Sequence, residues 1–302
     1  MTTVGERPDE RPRSGWRSRC SPLWPEFDPG CDHGRVSEIS DLVTACWPLA
    51  PSSATGWLLE LAGDDGFTGF MPPPLPDAAW VLNAMHEHEQ GPSDMSHDEY
   101  HQDQVAAGHI QPEIIGGIDF TEVGTVTGGG LGRAEHPGPH WRRLRWAELA
   151  QRTGDPLVPD GLLPSHRCFP SAKMDGSWPL HISPPTEGSL DRETWNRLIG
   201  ILTEHSPEGA DTRCLAYYSP LTLGATDFEN RHVQAGRLGD AEILYDNPEV
   251  EFSPSNLWAE DHSWVACTDY DLWATKVAGP APLIETLLND SEIETVRLPW
   301  AL

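Results

Sequence analysis

Apolar positions recur along this chain in short patches at helical or strand spacing, and long polar or proline-rich stretches separate them. In V36-S-E-I-S-D-L-V-T-A-C-W47, Val36, Ile39, Val43 and Cys46 share one helical stripe. Pro48 stops that helix, since proline lacks an amide hydrogen and its ring crowds the preceding turn. Trp57–Ala62 and Phe67–Met71 flank a G-D-D-G turn and predict a hairpin. After MPPPLP, Asp77 is placed to cap a helix that buries Val81, Ala84, Met85 and His88 and ends at Gln90-Gly91-Pro92. Ser96 and Glu99 form a capping box at the head of HDEYHQDQVAA, a polar helix that Gly108 closes. Beyond it, IIGGIDFTEVGTVTGGGLG suits short strands and a glycine loop, and Leu144, Trp146, Leu149 and Ala150 suggest a short helix before Gly154.

Residues 154–188 hold seven prolines and no period, the pattern of a wrapped connection or linker. Ser189 then opens a helix with Trp195, Leu198, Ile199 and Leu202 on one stripe, and Arg213–Ser219 reads as a buried strand. Asn256–Ala259, Trp264–Thr268 and Leu272–Val277, separated by the turn-compatible E-D-H-S and D-Y-D, predict an antiparallel meander. Gly279-Pro280 breaks it before a helix whose face carries Leu283, Ile284, Leu287 and Leu288, and Glu294–Leu298 supplies a last strand. The stripe of the Trp195 helix is expected to meet Trp264, Leu283 and Leu287. The fold class that follows is α+β, with antiparallel sheets and flanking helices in two lobes. Residues 1–35, which show no apolar period, form a disordered tail; 36–153 and 189–302 form the lobes, with 154–188 between them.

Charge narrows the picture. The 47 acidic residues outweigh 20 Lys and Arg, for a net charge of -27, which opposes phosphate neutralisation and so nucleic-acid binding. No run of 18 apolar residues spans a membrane, and the arginines of MTTVGERPDERPRSGWRSRC have no apolar run behind them, unlike a signal peptide. Six cysteines without a C-x-x-C pair read as free, mostly buried thiols, and cytoplasm is the expected compartment. The skew from Lys to Arg, with only Lys173 and Lys276 present, and the Gly, Pro and Ala richness fit a high-GC bacterial genome. The C-terminal pattern S-W-V-A-C-T-D-Y-D-L-W-A-T-K-V-A-G-P-A-P-L-I-E-T-L-L-N-D resembles small α+β proteins of such bacteria, some of which look like immunity proteins of toxin systems. That resemblance covers about a third of the chain, implies an α+β unit and carries over no functional residue.

From Leu238 to Thr275 there are nine carboxylates and no Lys or Arg, interleaved with Trp258, Trp264 and Trp273. Such a field of one sign suggests a basic protein partner, met by Asp240, Glu242, Asp246, Glu249, Glu251, Trp258, Asp269 and Asp271. The expected function is therefore a cytoplasmic protein-interaction module, immunity-type or regulatory, with an acidic recognition face and no cofactor.

The alternative rests on His86, His88, His97 and His101. On a helix, His97 and His101 stand four apart and project to one side, as zinc ligands do in H-E-x-x-H, although Asp98 replaces the glutamate. That would make a metal-dependent hydrolase using segment 86–101, with zinc as cofactor; the bland reading is a solvated polar helix. Asp269 and Asp271 suggest an acid–base pair or, more simply, carboxylates that hold turn amides. The arginines of Trp141–Trp146 are expected to pair internally, and Ser165, His166 and Cys168 to be loop neighbours without a catalytic arrangement.

Overall fold

The computed structural model describes residues 33–62, 69–112, 114–115, 118–119, 124–225 and 231–298. The elements are α1 (His33–Cys46), β1 (Leu49–Ala50), α2 (Gly56–Ala62), β2 (Asp77–Leu82), β3 (Met85–His88), α3 (His97–Ala106), β4 (Ile114–Ile115), β5 (Ile118–Asp119), β6 (Trp141–Leu144) and α4 (Trp146–Thr153). Then come β7 (Ile182–Ser183), α5 (Arg192–His205), β8 (Arg213–Tyr218), β9 (His232–Arg237), a 3-10 segment (Leu238–Asp246), β10 (Asn256–Ala259), β11 (Val265–Thr268), β12 (Ala274–Gly279), α6 (Ala281–Asn289) and β13 (Thr295–Val296). The class is α+β. Among the described residues the strands form antiparallel sheets of eight (β1-β9-β8-β10-β11-β12-β2-β13), three (β6-β3-β7) and two strands (β4-β5). The expected tail lies outside the described residues up to position 32, and 33–35 already belong to α1.

The large sheet is buried on both faces, so its strands read as continuous apolar runs rather than an in–out alternation. Successive residues nevertheless enter different cores. Ala79 and Val81 of β2, Cys214 and Ala216 of β8, Leu257 of β10 and Val277 of β12 join the core under α5 and α6. Their neighbours Ala78, Leu215, Tyr217, Trp258 and Ala278 enter a second core with Leu58 of α2 and Phe70. In the first core Trp195, Leu198, Ile199 and Leu202 meet Trp264, Leu283 and Leu287, as their stripes require. Gly236 lets α1 close on this layer: a Cβ there would stand 2.5 Å from the Trp47 ring.

Three local expectations are corrected. Gly56–Ala62 is helix α2 rather than the first arm of a hairpin, whose turn lies outside the described residues. The segment 77–88 is two strands, not a helix, since a short run of apolar residues buried on all sides does not separate the two periods. Asp191, not Ser189, caps α5: its carboxylate accepts from Thr194 N at 3.1 Å, whereas the Ser189 hydroxyl is buried and lies 3.1 Å from that of Ser253.

The proline-rich stretch does not divide the sheet. β2, from before it, pairs with β12 and β13 from after it. The stretch itself supplies Cys168, Phe169, Trp178 and Ile182 to a third core, shared with Trp80, Met85, Leu144, Trp146 and Trp273. Proline removes ladder donors but leaves large side chains free to pack, which is how an aperiodic segment becomes structural.

Candidate functional site

The acidic stretch breaks into separate groups. In the 3-10 segment Leu238, Ala241, Leu244 and Tyr245 are buried, which turns Asp240 and Glu242 outward. Asp246 is half-buried and pairs with Arg192 at the head of α5. Glu249 is exposed and accepts from the Ser40 hydroxyl of α1 at 3.0 Å, and Glu251 is exposed beside it. This crossing starts where Leu238 N donates to the Thr212 carbonyl, next to Arg213 of β8, which faces Glu260 of the β10–β11 turn at 3.5 Å. It finishes where Phe252 meets Tyr270, 5.4 Å between ring centroids. It thus runs from the β10–β11 turn to the β11–β12 turn.

Trp258 is no part of that surface. It is wholly buried, because β10 is covered on both faces. Asp269 is half-buried and its carboxylate accepts from Asp271 N at 3.0 Å, the turn-amide role its position suggests. Asp271 is exposed and turns away to a different carboxylate, described below.

The histidines divide between strand and helix. His86 and His88 lie on one face of β3, His86 edge-on to His136 at 4.9 Å and His88 edge-on to Trp141 at 5.2 Å. Burial, with a further push from His136, lowers the His86 pKa to about 4. The opposite face of β3 sends Glu87 to Arg142 and Arg152, which also hold Glu148. Arg143 lies 2.9 Å from the Thr194 hydroxyl and 3.7 Å from Asp191, so arginines of the Trp141–Trp146 cluster are engaged internally. The capping box of α3 is present, Glu99 N to Ser96 Oγ at 3.2 Å and Ser96 N to Glu99 Oε2 at 2.7 Å. It aims His97 inward, where Nε2 donates to the Ile182 carbonyl at 2.8 Å and burial keeps the pKa low. His101 is half-buried on the same helix. Among the described residues no three His, Cys, Asp or Glu side chains gather as a metal site.

The most distinctive polar site lies in the stretch read as a linker. Residues 161–167 fold back on the β11–β12 turn, with Trp273 N donating to the Pro164 carbonyl at 2.9 Å and Gly188 N to that of Leu272 at 3.1 Å. Gly188 has φ +76°, and a Cβ there would press on Phe252 at 3.0 Å. Between these segments opens a cleft of about 420 Å³. Leu162, Leu163, Ser165, His166 and Arg167 line one side, and Glu187 and Asp271 also face it.

Glu187 is its unusual member. Only 22 % of its side chain is exposed, and His166 Nδ1 stands 3.9 Å away. Burial first, then the Asp271 charge, raise its pKa to about 7; the indole N–H of Trp273 partly offsets them. That indole is wholly buried and finds no partner at full hydrogen-bond geometry. His166 is lowered by burial and by Lys173 and Arg167. Burial disfavours the charged form of both groups, which weakens their contact as a salt bridge. The sequence shows His166 and Asp271 but not Glu187, whose shift depends on a turn far along the chain. The chemistry available is a carboxyl that exchanges its proton near neutrality, a second carboxylate, a hydroxyl and a guanidinium.

Comparison of the chain with protein-family models, with curated proteins and with solved structures finds no match. No helix among the described residues is long and apolar enough to cross a membrane.

Proposed function

We propose that this chain is a cytoplasmic protein-interaction module, immunity-type or regulatory, that binds a basic protein partner along the crossing from Asp240 to Glu251. The observation that carries this is the outward set Asp240, Glu242, Glu249 and Glu251, turned to solvent because the apolar residues between them are buried. Among the described residues, Asp246 is the one carboxylate of this crossing within ion-pair reach of a cation. Exposed charges of one sign repel each other and steer an oppositely charged surface into encounter. The net charge of -27 gives that field long reach at low salt. Free thiols at Cys46, Cys168 and Cys214 suit a reducing compartment. Nucleic acid is a poor partner for such a field.

The test is a quantitative pull-down from native cell extract across a range of ionic strength, with the parent and with the Asp240→Asn, Glu242→Gln, Glu249→Gln, Glu251→Gln variant. The parent should enrich basic proteins with a steep salt dependence, and the variant should lose both the enrichment and the slope while keeping its melting temperature. Recovery of the same proteins by both would sink the reading.

A further inference from the structure

The cleft formed by 161–167, Glu187 and Asp271 holds both signs of charge, and its cation is free. Most described arginines, Arg142, Arg192, Arg197 and Arg297 among them, pair with carboxylates. Arg167 is exposed on the cleft, and among the described residues no hydrogen bond or ion pair is made by its guanidinium; its backbone N–H donates to Ser165 Oγ at 3.4 Å. That bond uses the Ser165 oxygen as acceptor and leaves its O–H to donate. Glu187 carries the opposite demand. A carboxylate this sheltered, next to Asp271, gains from a cation that water does not replace. The Trp273 indole N–H beneath it reaches no good partner. Leu162 and Leu163 supply the apolar wall, and Leu163 is 41 % exposed. A volume of about 420 Å³ lies in the lower part of the range of small-molecule sites.

We propose that this cleft binds a zwitterion of the α-amino-acid type, with its ammonium between Asp271 and Glu187, its carboxylate on Arg167 and the Ser165 hydroxyl, and an apolar side chain against Leu162 and Leu163. The guanidinium fork suits a carboxylate in two-point contact, and paired carboxylates suit an ammonium with several donors. A purely anionic ligand would be opposed by Asp271 and Glu187, and a purely cationic one by Arg167. The ligand that satisfies both walls carries both charges. This site is separate from the acidic crossing and does not depend on its having a partner.

Calorimetric titration of the full chain with L-leucine, L-leucine amide and N-acetyl-L-leucine tests it. The amide stands for a peptide's first residue and the acetyl derivative for its last. Leucine should bind, and each derivative should bind roughly tenfold or more weakly, the loss expected when one charged contact is removed. Arg167→Ala should erase the preference for leucine over its amide, and Asp271→Asn the preference over the acetyl derivative. Both positions are exposed, so both variants should keep the parental melting temperature. Equal binding of leucine and either derivative would overturn the zwitterion, pointing instead to recognition of one peptide end. No heat with any of the three, or affinities unmoved in both variants, would overturn the site.

Discussion

His97 Nε2 lies 2.8 Å from the Ile182 carbonyl and donates to it, tying α3 to β7 through one imidazole. That bond commits Nε2 as the ring's donor and leaves Nδ1 as its acceptor. His97→Ala should therefore lower stability by about 1–2 kcal/mol, the cost of a buried acceptor that loses its partner. Urea denaturation measures this. One equivalent of zinc on the parent, lost in the variant, would favour the metal-dependent hydrolase over the interaction module.

Leu287 of α6 is fully buried against the stripe of α5. Leu287→Ala should cost about 2–5 kcal/mol, combining lost transfer energy with the cavity left behind. The denaturation midpoint should fall with an unchanged slope. A midpoint equal to that of the parent would mean that this helix face is not packed.

Acid should weaken the fold through His86. Its folded pKa is depressed to about 4, so the neutral ring contributes stability that is fully present above pH 6.5 and lost as pH falls toward about 4. The loss attributable to this residue is on the order of 2–3 kcal/mol. His86→Leu, which cannot charge, should flatten the stability profile over that window. A variant as acid-sensitive as the parent would assign the sensitivity elsewhere.

Glu187 should act in the opposite direction. Its folded pKa is raised to about 7, so its contribution is present below 4.5 and lost as pH rises through 7. Glu187→Gln should stabilise the protein above pH 7 by about 1–3 kcal/mol and change little near pH 4. Thermal melts at both ends of the range are sufficient. Equal effects at both would show that the carboxyl is well solvated.

Local grammar was legible and long-range company was not. The capping box of Ser96 and Glu99, the left-handed Gly154 that ends α4 and the Trp195 stripe all depend on residues a few positions apart, and all are present. β2 does not read as a strand because packed cores cover both its faces: Ala79 and Val81 enter the one under α5 and α6, Ala78 that of α2, and Trp80 and Leu82 a third, which removes the alternation that marks a strand. The same cause hid Trp258, an anchor on paper and a core residue in fact. Residues 154–188 gave no period, yet Phe169 and Trp178 are fully buried there. Of the cleft, His166 and Asp271 drew notice singly. What makes them a site is Glu187, and no spacing rule brings these three together.

The position of β2 also bears on how the chain is made. A strand at residues 77–82 finds its partners at 274–279 and 295–296, so it leaves the ribosome long before either exists. During that interval an apolar strand waits with both edges bare, a template for mispairing with other chains. Closure of the sheet comes last and over a long loop, which makes for slow folding. A chain ended before Thr295 would keep one of those edges open for good.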